Sequence, residues 1–326
     1  MKVLVTGAAG FVGGNLMENL RARGVEVIGL DNFSSYYSPD MKRAHLDLTK
    51  LKSYTQEIDI CDEVSLNKLF TNFQPTHVVH LAAQGGVRAS KTDPAPYLQT
   101  NQAGFLNVLC AAERIGAEKF LYASSSSVYG DGLQAPFKES ETLSSPKSLY
   151  ALSKLSNELI AKHLPILQTQ RIGFRFFTVY GPWGRPDMAV FRLLASARLQ
   201  EKFKLTASTG VMRDFTYVSD VSNVIDAALK SNMNLISPEI YNVAGGSPFT
   251  LAQLFEVIKN LGISVQVEKA SVDPLDMKMT HGSVSKLEAS HFPVPSTNLH
   301  DGIAQTWNWM SNIETKQLRA WFEYTS

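Results

Sequence analysis

Apolar positions in the first half of the chain fall into short runs, separated by stretches with helical spacing. Residues 3–5, 25–30, 77–81, 120–123 and 171–177 are such runs, the pattern of strands buried on both faces of a parallel sheet. Residues 11–23 repeat apolar positions at helical intervals, and Gly24 supplies the stop. Residues 101–116 read as a second amphipathic helix. Helix, loop and strand alternate in this way up to Phe177, which predicts an α/β chain with a doubly wound parallel sheet covered on both faces. Beyond Phe177 the character changes. Residues 178–187 are rich in glycine and proline and read as a loop, 218–230 as a helix, and 240–244 as a strand that rejoins the main sheet. The final stretch carries shorter helices and strands, including an apolar helix whose Trp307, Trp309 and Met310 are read as packing residues. The expected division is a first domain of residues 1–177 with about 216–247, and a smaller C-terminal α/β lobe of 178–215 and 248–326 that binds substrate.

The first strand empties into Thr6-Gly-Ala-Ala-Gly-Phe-Val-Gly13, and the second ends in Asp31 and Asn32. Strand, glycine turn, helix, strand and acid in that order have the physical logic of a dinucleotide site. Small residues let the backbone approach a pyrophosphate, and the helix start offers free N–H groups and a positive dipole end. Gly7, Gly10, Phe11, Val12 and Gly13 are therefore cofactor candidates. Asp31 stands eighteen residues after Gly13, placed to accept hydrogen bonds from ribose hydroxyls. A carboxylate there repels a 2′-phosphate, so NAD is expected rather than NADP. The glycine spacing is Gly-x-x-Gly-x-x-Gly, and three glycines alone mark only a turn; the flanking strands and the acid carry the reading. Leu81, Ala82 and Ala83 are suited to pass beneath the cofactor, and Asp59 with Ile60 occupy the loop that touches adenine in such folds. His77 and His80 read as residues of a buried strand, because no third metal ligand sits at a useful spacing.

Ser124-Ser-Ser-Ser127 closes the strand at 120–123, and Tyr150-Ala-Leu-Ser-Lys154 follows on a predicted helix. Residues four apart share a helix face, so the phenol and the ammonium can both point at the serines. A cation beside a phenol favours the phenolate and pulls its pKa down from about 10, toward a range where it can act as a base. An ordinary surface pair is the bland alternative, and the neighbouring cofactor turn weighs against it. Arg185, Arg192 and Arg213 lie near element ends, where guanidinium forks suit diphosphates and carboxylates. Arg213, followed by Asp214-Phe-Thr-Tyr-Val, is the foremost of them.

The 326 residues carry 31 basic and 30 acidic side chains, a balance that points to neither nucleic acid nor an anionic membrane as a partner. Cys61 and Cys110 are too few for a disulfide framework, and no apolar run approaches the roughly 18 residues of a membrane span. With a strand pattern starting at the first residues, the expectation is a soluble, cytoplasmic protein.

The glycine turn together with Tyr150 and Lys154 resembles the extended short-chain dehydrogenase/reductases, the nucleotide-sugar epimerases and dehydratases. The blocks at 30–39, 81–88, 122–130, 175–188 and 213–217 look like those of the UDP-glucuronate 4-epimerases, and the likeness weakens after about Phe249. The resemblance implies a Rossmann-type fold with NAD. Ser125, Tyr150 and Lys154 would form the catalytic set, and Asn101, Ser124 and Phe177 would join the cofactor surface. It implies that Ser126 and Ser127 face the C5 substituent, and that Thr178, Arg185, Arg213 and Asp276 line the pocket for UDP and sugar, with Arg192 beside them. Related dehydratases and decarboxylases carry acidic residues in the serine-rich turn. Hydroxyls cannot act as acids near neutral pH, so epimerisation fits better. Residues 274–283 follow the family's Pro-Gly-Asp run only loosely, and Ser283 stands where an aspartate is commoner. A homodimer pairing helices near 101–116 and 147–163 is implied as well. The rivals are a UDP-glucose 4-epimerase, a nucleotide-sugar 4,6-dehydratase, and a non-catalytic NAD-binding protein, since fold alone does not fix function.

Overall fold

The computed structural model describes residues 1–326 apart from Gly132, Ser144, 166–167, 206–207, 209, 234–236, 271–278 and 325–326. In chain order the strands among the described residues are β1 (Lys2–Thr6), β2 (Glu26–Asp31), β3 (Thr55–Glu57), β4 (His77–His80), β5 (Lys119–Ser125), β6 (Gln170–Phe176), β7 (Thr178–Tyr180), β8 (Lys202–Leu205), β9 (Met212–Tyr217), β10 (Glu239–Val243), β11 (Pro248–Thr250) and β12 (Gln266–Lys269). Seven of them make one sheet in the order β10-β6-β5-β4-β1-β2-β3, and every pairing in it is parallel. The apolar runs are buried as expected: Val3, Leu4, Val5, Val78 and Val79 lie in the core. Helices Phe11–Ala22 and Val218–Lys230 pack on one face, and Glu63–Phe73, Phe105–Arg114 and Leu149–His163 on the other. This is the Rossmann-type doubly wound sheet that the alternation predicted.

The chain runs outward from β1 to β3 and then crosses back to β4. Strand order therefore reverses between β1 and β4, and a crevice opens above their carboxyl ends. The second half adds a three-stranded sheet, β11-β9-β7, and a parallel pair of β8 with β12. Buried Asp214 on β9 holds two segments beside this sheet: its carboxylate accepts from the backbone amides of Gly246 (3.1 Å), in the loop between β10 and β11, and Gly282 (3.0 Å).

Two local expectations change. Residues 178–187, read as loop, begin with β7, because Thr178, Val179 and Tyr180 find a parallel partner in β9. The helix expected at 101–116 opens as a wider π-helical turn, Gln99–Gly104, before the regular Phe105–Arg114. Such turns arise where a helix must admit an extra residue, often beside a functional site. The aromatic helix is Leu299–Ser311; Met310 is buried and Trp309 packs on Trp183 at 5.1 Å between ring centroids. His77 and His80 are buried strand residues, and His80 shares a hydrogen bond with the Thr6 hydroxyl at 2.9 Å.

Arg171 on β6 has its side chain wholly out of water. It donates to Glu113 (2.6 and 3.1 Å) and to the carbonyls of Ala161, Leu164 and Pro165, where helix Leu149–His163 ends. A guanidinium at a helix C-terminus meets both the unsatisfied carbonyls and the negative dipole end. Arg171→Met strips the buried Glu113 of its guanidinium and is expected to destabilise the fold by about 3–5 kcal/mol. Urea unfolding midpoints measure it, and a loss well under 1 kcal/mol would contradict the assignment.

Candidate active site

The cavity above β1 and β4 is built by the glycine turn on one side and by residues 81–85 on the other. Gly7 has φ +70°, and a methyl group there would stand 2.7 Å from the Ala82 amide nitrogen. At Gly13 it would stand 2.1 Å from the Gly7 carbonyl oxygen, so the turn closes only with glycine at both positions. Gly10 caps helix Phe11–Ala22 without a side chain, so the first-turn amides face the cavity unblocked by a capping group. Phe11, Val12 and Gly13 line it, as do Leu81, Ala82, Ala83 and Ile60. Asp31 closes the other end. Its carboxylate is aimed by the amides of Ala9 (3.1 Å) and Phe33 (2.8 Å), and with four lone-pair sites it can still accept from ribose hydroxyls. These residues fit a dinucleotide: a cradle too tight for side chains at the phosphate end, an acid at the ribose end.

The second centre lies where helix Leu149–His163 meets β5. Ser148 caps that helix by accepting from the Ala151 amide at 3.1 Å, which places Tyr150 in the first turn above the strand end. The Tyr150 phenol faces Ser125, whose hydroxyl favours the ionised form. One turn on, the buried Lys154 ammonium donates to the Ala123 carbonyl at 3.0 Å. The Ser125 hydroxyl donates to Ser127 Oγ (3.1 Å) and accepts from the Ser127 amide (3.2 Å), while Ser126 is buried in the same turn. The structure thus brings Ser125, Tyr150 and Lys154 together. It assigns the electrostatics differently from the sequence reading. Packing around the phenol pushes the Tyr150 pKa up, and the groups that pull it back are the Arg185 guanidinium and then the Ser125 hydroxyl, with Asp187 opposing them. Burial meanwhile pushes Lys154 down to about 8, so its ammonium is held with little to offset desolvation.

The remaining positions sort by where their side chains point. Half-buried Arg185 reaches the cavity over Gly85 and binds Asp187 through Nε (2.9 Å) and Nη2 (2.8 Å). Thr178 borders a small apolar hollow behind β7. Arg213 donates to the Met212 carbonyl at 2.9 Å, and Arg192 lies over the Phe322 ring at 4.5 Å. Four cofactor candidates act at one remove. The Ser124 hydroxyl donates to Glu158, on the strand face opposite Ser125. The Asn101 amide is spent on both backbone groups of Gln84 and on Ser153 Oγ, so it shapes the cavity wall. Phe177 packs with Tyr129 and Phe137, and Asp59 accepts from Asn32 (2.9 Å) and the Cys61 amide (2.8 Å). Asp276 lies outside the described residues. Among the described residues no three potential His, Cys, Asp or Glu ligands cluster around a possible metal site.

Sequence reasoning passed over four residues. Lys42 is buried at the ribose end, donating to the Ser34 carbonyl (3.1 Å) and standing 3.7 Å from Asp31. Tyr36 donates to Asp187 at 2.9 Å, and Asp187 orients Arg185. Tyr97 donates to the carbonyls of Gly85 (2.5 Å) and Gly86 (2.7 Å) and meets the Tyr150 ring edge-on at 6.3 Å. The one available signal was an acid two residues after an arginine, and only folding shows that the two pair.

A lysine held at about 8 gives a signed expectation for stability. Between about pH 8 and the ordinary 10.5 the unfolded chain binds a proton that the folded chain does not, so this group makes stability rise with pH across that window. Lys154→Met removes that contribution. Denaturation midpoints across the window are expected to climb less, or fall more steeply, in the variant than in the wild type; parallel profiles would count against a buried, depressed Lys154.

The chain matches the NAD dependent epimerase/dehydratase family over residues 3–244. UDP-glucuronate 4-epimerase 5 of Arabidopsis thaliana is 37% identical over 343 residues, covering 98% of this chain and 78% of the plant protein. Among solved structures, UDP-glucuronic acid 4-epimerase from Bacillus cereus, in complex with UDP-glucuronic acid and NAD, has a TM-score of 0.85 at 32% identity, over 98% of this chain and 100% of that one. UDP-glucose 4-epimerase from Thermus thermophilus, in complex with NAD, has a TM-score of 0.83 at 31% identity, over 96% and 100%. A cavity cut to a dinucleotide, a tyrosine facing the serine-rich strand end beside it and these matches along nearly the whole chain lead to one conclusion: the chain is an NAD-using enzyme of the NAD-dependent epimerase/dehydratase family.

Proposed function

We propose that the protein is a nucleotide-sugar 4-epimerase that interconverts UDP-glucuronate and UDP-galacturonate. The observation that carries this reading is the pairing of Tyr150 with Ser125 at the strand end, next to a turn in which Ser126 and Ser127 stand where eliminating enzymes would need acids. The similarity to the Arabidopsis and Bacillus proteins supports the uronic acid as substrate.

NAD held by the glycine turn, Asp31 and residues 81–83 would supply a reversible hydride acceptor for the sugar C4. Tyr150 takes the 4-hydroxyl proton as the hydride leaves and gives it back as the 4-keto sugar is reduced, so no net redox follows. Its phenol must lose a proton first, which Arg185 and Ser125 favour against the packing around it. Ser125 holds the sugar 4-oxygen, and Lys154, near its own neutral point, is suited to hold ribose hydroxyls and relay protons. Ser126 and Ser127 offer hydroxyl donors to the C5 carboxylate without an acid that could assist its loss. Thr178, Arg185, Arg192, Arg213 and Asp276 are assigned to the nucleotide and sugar, with residues 178–215 and 248–326 forming the lobe that carries them and residues 1–177 with 216–247 holding NAD.

Incubating the purified protein with UDP-glucuronate and resolving the products is the test. Conversion to UDP-galacturonate is expected, with kcat/KM at least about tenfold above that for UDP-glucose, because a site that pairs a carboxylate leaves its donors unsatisfied with the neutral sugar. Tyr150→Phe is expected to lower kcat by at least about a hundredfold, within the usual contribution of a positioned base. Faster turnover of UDP-glucose would replace the uronate reading with the neutral-sugar one.

Among the described residues no helix is long and apolar enough to cross a membrane. The two unpaired thiols, Cys61 and Cys110, suit a reducing cytoplasm, which we assign as its location. Leu98, Leu106, Leu152 and Leu159 are exposed on or beside helices Phe105–Arg114 and Leu149–His163. Such a patch on two adjacent helices supports a homodimer. Sedimentation of the wild type is expected to give twice the chain mass, and Leu152→Glu with Leu159→Glu the single mass; a wild-type monomer removes the dimer from the proposal.

A further inference from the structure

Tyr150, Lys154 and Glu158 are spaced four apart on helix Leu149–His163 and share the face turned toward the sheet. The first two meet β5 at Ser125 and at the Ala123 carbonyl. Glu158, one turn further, is equally withdrawn from water, yet the proposed reaction gives it no task. Arg175 grips its carboxylate through Nε (2.9 Å) and Nη2 (2.7 Å), and the Ser124 hydroxyl donates to it as well. Arg175 and Ser124 are cross-strand partners in the β5–β6 register. The other arm of Arg175 donates to the Tyr129 hydroxyl (3.0 Å), which donates to Asn242 on β10 (2.7 Å). One network thus ties the helix bearing Tyr150 to β5, β6, β10 and the turn after Ser125.

A buried ion pair is weak evidence for stability, because desolvation offsets the attraction and apolar side chains of similar volume do as well. What apolar packing lacks is direction. Smooth side chains let a helix slide along a strand, whereas a two-pronged carboxylate–guanidinium contact holds one axial position. We infer that the Glu158–Arg175 pair, with Ser124, is a positioning device: it sets how far along β5 the helix sits, and so where the Tyr150 phenol stands relative to Ser125. These residues touch no reacting atom. The inference rests on the proposed function for its turnover measurement and is independent of it for its titration.

The test replaces both charges at once, Glu158→Met with Arg175→Met, so that neither is left alone in the interior. The Tyr150 phenolate is read by ultraviolet difference titration, each protein being compared with the same protein carrying Tyr150→Phe. The folded double variant is expected to bind NAD and to keep KM for the nucleotide sugar within about threefold. Its kcat falls at least about tenfold, the scale of a modest misplacement of a catalytic group. Its Tyr150 titration moves to higher pH, because the displaced phenol loses the favourable influence of the Arg185 guanidinium and of the Ser125 hydroxyl, and the acid limb of kcat moves with it. A titration at the wild-type position overturns the inference whatever kcat does. Where the double variant does not fold, Ser124→Ala, which removes one hydroxyl, decides by the same titration, with a fall in kcat of about threefold expected. A wild type that converts no nucleotide sugar sinks the proposed function, and the titration still decides the positioning role.

Discussion

Ionisable groups kept out of water at the ends of β5 and β6 are the constraint on which the rest of this molecule turns. Lys154, Glu158, Arg171 and Arg175 are all buried within one helix–sheet contact. Charge can be held in such a place only when each group finds partners, because an unpaired ion in the interior costs several kcal/mol. The partners come from every element nearby: a strand carbonyl for Lys154, helix-end carbonyls and Glu113 for Arg171, a hydroxyl and a carboxylate for Arg175. Helix Leu149–His163 is therefore fastened to the sheet by directional contacts from its first turn to its last. The phenol at its start inherits that rigidity.

The same burial sets the chemistry. A phenol pressed among protein atoms resists ionisation, and a lysine in that position sheds its proton early; with Lys154 down at about 8 and Tyr150 raised, the ammonium gives up its proton before the phenol does. Arg185 adds the adjustable element. Its partners Asp187 and Tyr36 come from the second half of the chain and from the loop after β2, so the cation that most favours the phenolate is held by segments outside the helix and strand that carry Tyr150, Lys154 and Ser125.

Most of the scaffold was legible in the sequence, because burial on two faces leaves unbroken apolar runs and a phosphate turn leaves glycines. The runs at 3–5, 77–81 and 120–123 could be read for that reason, as could Gly7, Gly13 and Asp31. What escaped was direction. Ser124 and Ser125 are the same residue type at adjacent positions, and only the pleat sends one hydroxyl to Glu158 and the other to the phenol. Asn101 was expected on the cofactor surface, and its amide instead holds Gln84, a use that no spacing announces. β7 was missed because its partner β9 lies more than thirty residues away, and glycine and proline after Tyr180 mark the same segment as loop.

The four serines raise a last question of specification. A strand ending in a uniform run cannot fix its own register, since a slip of one residue presents the same side chains to each face. Apolar residues upstream supply part of the answer: Phe120 and Tyr122 are buried side by side on one face with Phe105, while Leu121 packs into the other cluster. A slip would exchange them between two cores of different shape. The cross-strand pairing of Ser124 with Arg175 supplies the rest, because a guanidinium out of water accepts only the position at which its carboxylate and hydroxyl partners are within reach. Uniformity at the serines is thus tolerable because their register is written in the residues around them.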